Sequence, residues 1–206
     1  MQTKNLQQAI VNYTAQTSGW DQRRSYIGLS GIGDCERVIY NRFYFGQLRP
    51  HVGELLTTKL SYELEAVLIA RLQAIGVYSP AEGIVLFDGQ MQGHPDGIVG
   101  GTDYLEIKTV PMEEHFPENR IVGRRIFYQC QAYMHFGQPK YTHVVYLARS
   151  TGGIFVVGLR YQERVGREIE WKIKRLVDAV RERVAPGCTC GRCGEVKDEM
   201  PKITRQ

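Results

Sequence analysis

The order in which apolar and polar positions repeat divides this chain into strands and helices. Runs of period two predict strands over 82–88, 91–99 and 102–110, and again over 141–148 and 153–160. Helical spacing predicts a helix over about 54–75, where Leu60, Leu64, Val67, Leu68 and Leu72 form an apolar stripe and Gly76 is a stop signal. Further helices are predicted over about 123–136 and 162–184, the last ended by Pro186-Gly187. A short helix over 4–13 and a serine-headed segment over 25–45 precede them, and residues 111–122, with Pro111 and Pro117, read as a loop. Gly100-Gly101 and Ser150-Thr151-Gly152-Gly153 carry hairpin signals. Strands interleaved with helices predict an α/β protein, a central mixed β-sheet flanked by helices.

Candidate chemistry sits on the first hairpin. Gly93-His94-Pro95-Asp96-Gly97 belongs to one strand, and Leu105-Glu106-Ile107-Lys108-Thr109 to the next. Strand side chains alternate, so Tyr104, Glu106 and Lys108 share one face and Leu105, Ile107 and Thr109 the other. Asp96 can join Glu106 and Lys108 across the hairpin. Two carboxylates with a lysine suit phosphodiester hydrolysis. Mg²⁺ or Mn²⁺ takes oxygen ligands together with substrate phosphate, and a neighbouring lysine orients or deprotonates water or stabilises developing negative charge. On the following helix, Gln129 and Tyr133 stand four apart on one face and can reach the same place.

Taken together, Gly-His-Pro-Asp-Gly, Leu-Glu-Ile-Lys-Thr and Gln129-Cys130-Gln131-Ala132-Tyr133 resemble the PD-(D/E)XK nuclease superfamily. More narrowly they resemble its RecB-type branch, with CRISPR adaptation nucleases and phage exonucleases that carry an iron–sulfur cluster. The resemblance covers about 25–195 and implies a restriction-endonuclease-like core. It implies that Asp96, Glu106 and the backbone of Ile107 hold the metal, that Lys108 serves catalysis, and that Gln129 and Tyr133 contact DNA while His94 lines the site. It also implies an upstream helix bearing another carboxylate. Glu63, beside the apolar stripe, is the preferred residue, with Glu65 as the alternative. The activity implied is a metal-dependent deoxyribonuclease in recombination, repair or phage DNA processing, an exonuclease on DNA ends or single strands. A CRISPR-adaptation-type nuclease working with an integrase partner, or a non-catalytic DNA-binding subunit, is the alternative.

Five cysteines are present, and Cys188, Cys190 and Cys193 fall within six residues. No signal-like segment opens the sequence, so the expected compartment is cytoplasmic and reducing, where clustered cysteines more often bind metal than form disulfides. Cys35 is the candidate fourth thiolate. In the iron–sulfur members one cysteine near the N-terminus, in a Ser-x-x-x-x-Cys-x-Arg setting such as Ser30 to Arg37, joins three near the C-terminus. The resemblance therefore implies a [4Fe–4S] cluster, although the tighter Cys-x-Cys-x-x-Cys spacing leaves Zn²⁺ or no metal open. Cys130 reads as a small buried residue.

Composition narrows the rest. At 206 residues the chain suits a single domain, 1–206, with 25–50 and 185–195 forming a cysteine-ligated subdomain. No apolar run reaches the length of a membrane helix. The net charge of +4 is mild. Arg120, Arg124 and Arg125 precede the glutamine–tyrosine helix and are candidates for phosphate contact. The charges on the last helix interleave acid with base and read as pairs along its surface.

Overall fold

The computed structural model describes residue 13 and residues 25–46, 52–188 and 190. The expected helix over 4–13 lies outside them except at its last residue. Eight strands and four α-helices follow one another within this part. They are β1 (Ile27–Gly28), α1 (Glu36–Phe45), α2 (Val52–Ala74), β2 (Tyr78–Ser79), β3 (Ile84–Leu86), β4 (Met91–Gly93), β5 (Gly97–Val99), β6 (Asp103–Val110), α3 (Arg124–Gly137), β7 (Tyr141–Ala148), β8 (Ile154–Arg160) and α4 (Glu163–Glu182). Short 3₁₀ turns occupy Leu29–Gly31, Glu113–His115 and Glu118–Arg120.

The strands form two mixed sheets. The large one has the order β2-β5-β6-β7-β8, and the small one β1-β4-β3. At the centre of the large sheet β6 and β7 run parallel through seven register pairs, from Tyr104↔Thr142 to Val110↔Ala148. Such a pair needs a crossover, and α3 supplies it. The expected single strand over 91–99 is two strands in two sheets. Met91–Gly93 pairs with β1 and β3, whereas Gly97–Val99 pairs with β2 and β6. Pro95, which has no N–H to give a ladder, falls at the switch.

Two helices sandwich the large sheet. On one face Leu68, Ile69 and Leu72 of α2 pack on Leu105, Ile107 and Val145. On the other, Cys130 and Met134 of α3 pack on Val144, Tyr146 and Val157. The alternation read from the sequence thus assigns the faces of β6 correctly. Beyond α3 a second core joins Ala132 and Tyr133 to Ile169, Ile173, Leu176 and Val177 of α4 and to Ile27, Leu29, Ile84 and Met91 around the small sheet. The outer charges of α4 include Arg167–Glu163 and Lys174–Glu170 pairs one turn apart, as expected of a solvated face. Among the described residues no helix is long and apolar enough to cross a membrane.

Candidate metal centre and its surroundings

The turn from small sheet to large sheet carries Asp96 into place. Its amide bonds to the Leu105 carbonyl at 3.0 Å, and its carboxylate accepts the amide of Ile107. Tyr78 donates to the Asp96 carbonyl at 2.9 Å, with its ring lying over Gly97. A Cβ on Gly97 would come within 2.1 Å of that ring, and one on Gly93 within 2.8 Å of the Tyr133 ring. Both glycines flanking His-Pro-Asp are therefore sites of close approach, and they let the neighbouring rings hold the turn from either side.

Glu106 is 1% exposed. Its Oε1 accepts hydrogen bonds from the Lys108 ammonium and, at 2.6 Å, from Gln129 Nε2. Its Oε2 is buried and has no hydrogen-bond partner among the described residues. Burial raises the Glu106 pKa to about 7, against the opposing pull of Lys108. Asp96 is also raised by burial, opposed by the Ile107 amide and by Lys108. For Lys108, burial acts downward, yet the charge and hydrogen bond of Glu106 and the charge of Asp96 outweigh it, and its pKa is raised.

Of the two candidate glutamates on α2, Glu65 is the one that senses Asp96 and Lys108. Burial raises its pKa to about 7, Asp96 adds to the rise, and Lys108 opposes it, so the three groups sense one another. Glu63, the residue preferred from the sequence, is exposed, and its side chain leaves α2 roughly 200° around the axis from Glu65. The helix phase accounts for the difference in exposure. Leu60 and Val67 of the expected stripe are 45% and 58% exposed. The face turned to the sheet is instead Ser61, Glu65, Leu68, Ile69 and Leu72, with Ser61 bonded to Thr109 of β6 at 2.6 Å. Two polar members hide that face from a hydrophobic stripe. The i, i+4 spacing of Ser61 and Glu65 and the approach to Leu68 and Leu72 are the signals that could have found it.

Neither a protein-family model nor a curated protein matches the chain. Solved structures do. LHK-Exo of Laribacter hongkongensis, in complex with dAMP, is 14% identical at a TM-score of 0.57, the match covering 84% of this chain and 93% of that one. A phage-related exonuclease from Haemophilus somnus 129PT is 11% identical at 0.54, covering 72% and 80%. SSO0001 is 15% identical at 0.53, covering 82% and 86%. At these identities the likeness is one of fold. The chain shares the fold of these structures.

Within that fold, Gln129 and Tyr133 are 4% and 2% exposed. Gln129 donates to Glu106 and, at 2.9 Å, to the Tyr133 hydroxyl, which in turn donates to the His94 carbonyl at 3.3 Å. The pair expected to touch DNA is thus turned inward. It fixes the Glu106 carboxylate and the turn that bears Asp96. The His94 side chain is exposed at that turn, 6.4 Å from the Tyr26 ring. Arg124 and Arg125 are exposed at the start of α3. Arg124 lies 5.1 Å over the Tyr128 ring, and Arg125 bonds to the Ser30 carbonyl and stands 3.7 Å from Asp34. The Arg120 side chain is outside the described residues.

The cysteine cluster lies apart in sequence from the carboxylates. The sulfurs of Cys35, Cys188 and Cys190 all fall within 4.8 Å of one another, and Cys188 and Cys190 are 3.6 Å apart. Cys193 lies outside the described residues. Cys35 sits just before α1 on a loop that is tied down from three sides. Lys172 of α4 donates to the carbonyls of Ile32 and Asp34, Arg42 pairs with Asp34, and Arg175 pairs with Glu36. A Cβ on Gly33 would lie 2.6 Å from the Arg125 Cα, so this loop rests directly on the backbone of α3. Three thiols at this spacing are a soft donor set that could hold a metal.

Proposed function

We propose that this protein is a divalent-metal-dependent DNA nuclease, an exonuclease acting on DNA ends or single strands in recombination, repair or phage DNA processing. The observation that carries the reading is the Glu106 carboxylate. One of its oxygens is engaged by Lys108 and Gln129, and the other is buried without a partner among the described residues. Leaving such an atom unmatched is costly, so a native fold that keeps it reserves it for a ligand. With Asp96 and Glu65 the donor set is all carboxylate oxygen, which fits Mg²⁺ or Mn²⁺. Asp96, Glu106, Glu65 and the Ile107 carbonyl would hold the ion. When bound, such an ion supplies an activated water and offsets charge on phosphorus.

The chain's own groups do the rest. Lys108, kept as an ammonium by Glu106, donates to a phosphate oxygen or orients the attacking water. Gln129 and Tyr133 act as positioning residues by fixing Glu106 and the Asp96 turn. Arg120, Arg124, Arg125 and the exposed His94 provide contacts for the DNA strand. Cys35, Cys188, Cys190 and Cys193 would hold a [4Fe–4S] cluster, or Zn²⁺ as the alternative, making 25–50 and 185–195 one subdomain. The fold neighbours titled exonucleases support the class of activity. A recombination or integrase protein is the expected partner class.

The test is cleavage of end-labelled linear and closed circular single-stranded DNA with Mn²⁺, Mg²⁺ or EDTA. Metal-stimulated loss of linear DNA alone, absent in Lys108→Ala, is expected. Cutting of circles would make the enzyme an endonuclease, and undiminished cleavage by Lys108→Ala would remove the lysine from the chemistry.

A further inference from the structure

On the α2 face of the large sheet, one helical turn from Glu65, three residues converge that no motif marks. Thr109 follows Lys108 on β6 and bonds through its hydroxyl to Ser61 of α2 at 2.6 Å. Arg149, just past the end of β7, donates from Nη1 to the same Thr109 oxygen at 3.2 Å. Its backbone is fixed as well, since its amide bonds to the Val110 carbonyl at 2.9 Å. Arg149 is half-buried, and among the described residues no carboxylate lies within ion-pair distance of it. A guanidinium carries five N–H donors, and Thr109 takes one of them here. A partly buried cation without a counter-charge is expensive unless an anion completes it.

The position of this trio says which anion. Ser61 precedes Glu65 by about one turn of α2, about 6 Å along the helix axis. Thr109 lies one residue beyond Lys108, at the carboxyl ends of the parallel pair β6 and β7, where α/β sheets bind their ligands. A strand that lies along this face of α2 with one phosphate at Glu65 carries its neighbouring phosphate toward Ser61, Thr109 and Arg149.

We infer that Arg149, with the hydroxyls of Ser61 and Thr109, forms a phosphate subsite that holds the DNA phosphate next to the one being cleaved. The inference rests on the nuclease reading for its substrate. The group bound is a phosphate, either an internal phosphodiester or a terminal monoester.

Binding of a fluorescent single-stranded oligonucleotide, in EDTA and over a range of salt, tests it without cleavage. Arg149→Gln is expected to weaken binding about tenfold, the worth of one charge-assisted hydrogen-bonded contact. It should lower the slope of log K against log[salt] by about 0.7, one phosphate on single-stranded DNA. Arg149→Lys should keep the slope but not the full affinity. Arg167→Ala, which breaks the Arg167–Glu163 pair on α4, serves as the control and should leave the slope in place. Single methylphosphonates put the same question to the wild type. One position should cost as much as Arg149→Gln and cost nothing more in that variant. A penalty independent of end phosphorylation assigns the diester, and one confined to phosphorylated ends assigns the monoester. An unchanged slope in Arg149→Gln, or an equal fall in Arg167→Ala, overturns the subsite and leaves the nuclease reading standing. A wild type that binds without cleaving sinks the nuclease reading alone.

Discussion

The carboxylate cluster and the cysteine cluster are built in opposite ways. Asp96, Glu106 and Lys108 come from thirteen consecutive residues on adjoining strands, and Glu106 is buried within hydrogen bonds from two elements. Cys35 and the pair Cys188 and Cys190 are more than 150 residues apart and meet at the surface. The first cluster draws its geometry from the sheet. The second draws it from the loop before α1, held by Lys172, Arg42 and Arg175 around its carbonyls and acids. A site inside a ladder is set by register and alternation. A site between chain ends is set by whatever anchors the ends.

This contrast orders the expected effects of substitution. Lys108→Ala breaks the sheet-borne site at its chemistry. A fall in kcat of about 10³-fold is expected, with DNA binding in EDTA within a few-fold of wild type, read by single-turnover cleavage and by anisotropy. Cys190→Ser breaks the other site at its ligand. It should lower bound iron or zinc below one equivalent and reduce Tm by roughly 4–8 °C, as a loss of about 2 kcal/mol would in a domain of this size. Elemental analysis and calorimetry check this, and a fall in kcat as deep as that of Lys108→Ala would erase the distinction.

Acidity sharpens it further. Burial lifts Glu65 and Glu106 from the usual 4.5 to about 7, so both bind protons more tightly folded than unfolded. Their contribution to stability is complete below pH 4.5 and disappears as pH rises through 7. In EDTA, Tm should drop by a few degrees over that window, and Glu106→Gln should flatten part of the drop. Added Mn²⁺ should recover the loss at pH 8, because a ligand that takes the ionised carboxylates stabilises the fold that presents them. The smallest effect is expected from Arg175→Ala. The Arg175–Glu36 pair is well exposed on the arginine side, and its removal should cost less than about 1 kcal/mol in urea denaturation.

Legibility in the sequence follows the same division. The mixed sheet between helices, the shared face of Glu106 and Lys108, and the crossover helix with Gln129 and Tyr133 were readable, because each depends on a local period. Hydrophobicity does not separate Glu65 from Glu63, because α2 is apolar on more than one side and its phase stays undetermined. The break at His94-Pro95-Asp96 was hidden by alternation that continues across it, although Pro95 marked it. The inward turn of Gln129 and Tyr133 could not be read, since spacing gives the face of a helix and not what covers it. Arg149 escaped notice because it follows a strand end and belongs to no motif.

The seven-pair alliance of β6 with β7 also fixes an order of events in time. Amides at the centre of a doubly flanked strand exchange with solvent only when the whole domain opens, whereas chain ends open locally and often. Ageing, heating or partial digestion would therefore strip the protein of its sulfur-lined end first. The strand that carries Glu106 and Lys108 would survive until the fold itself is lost.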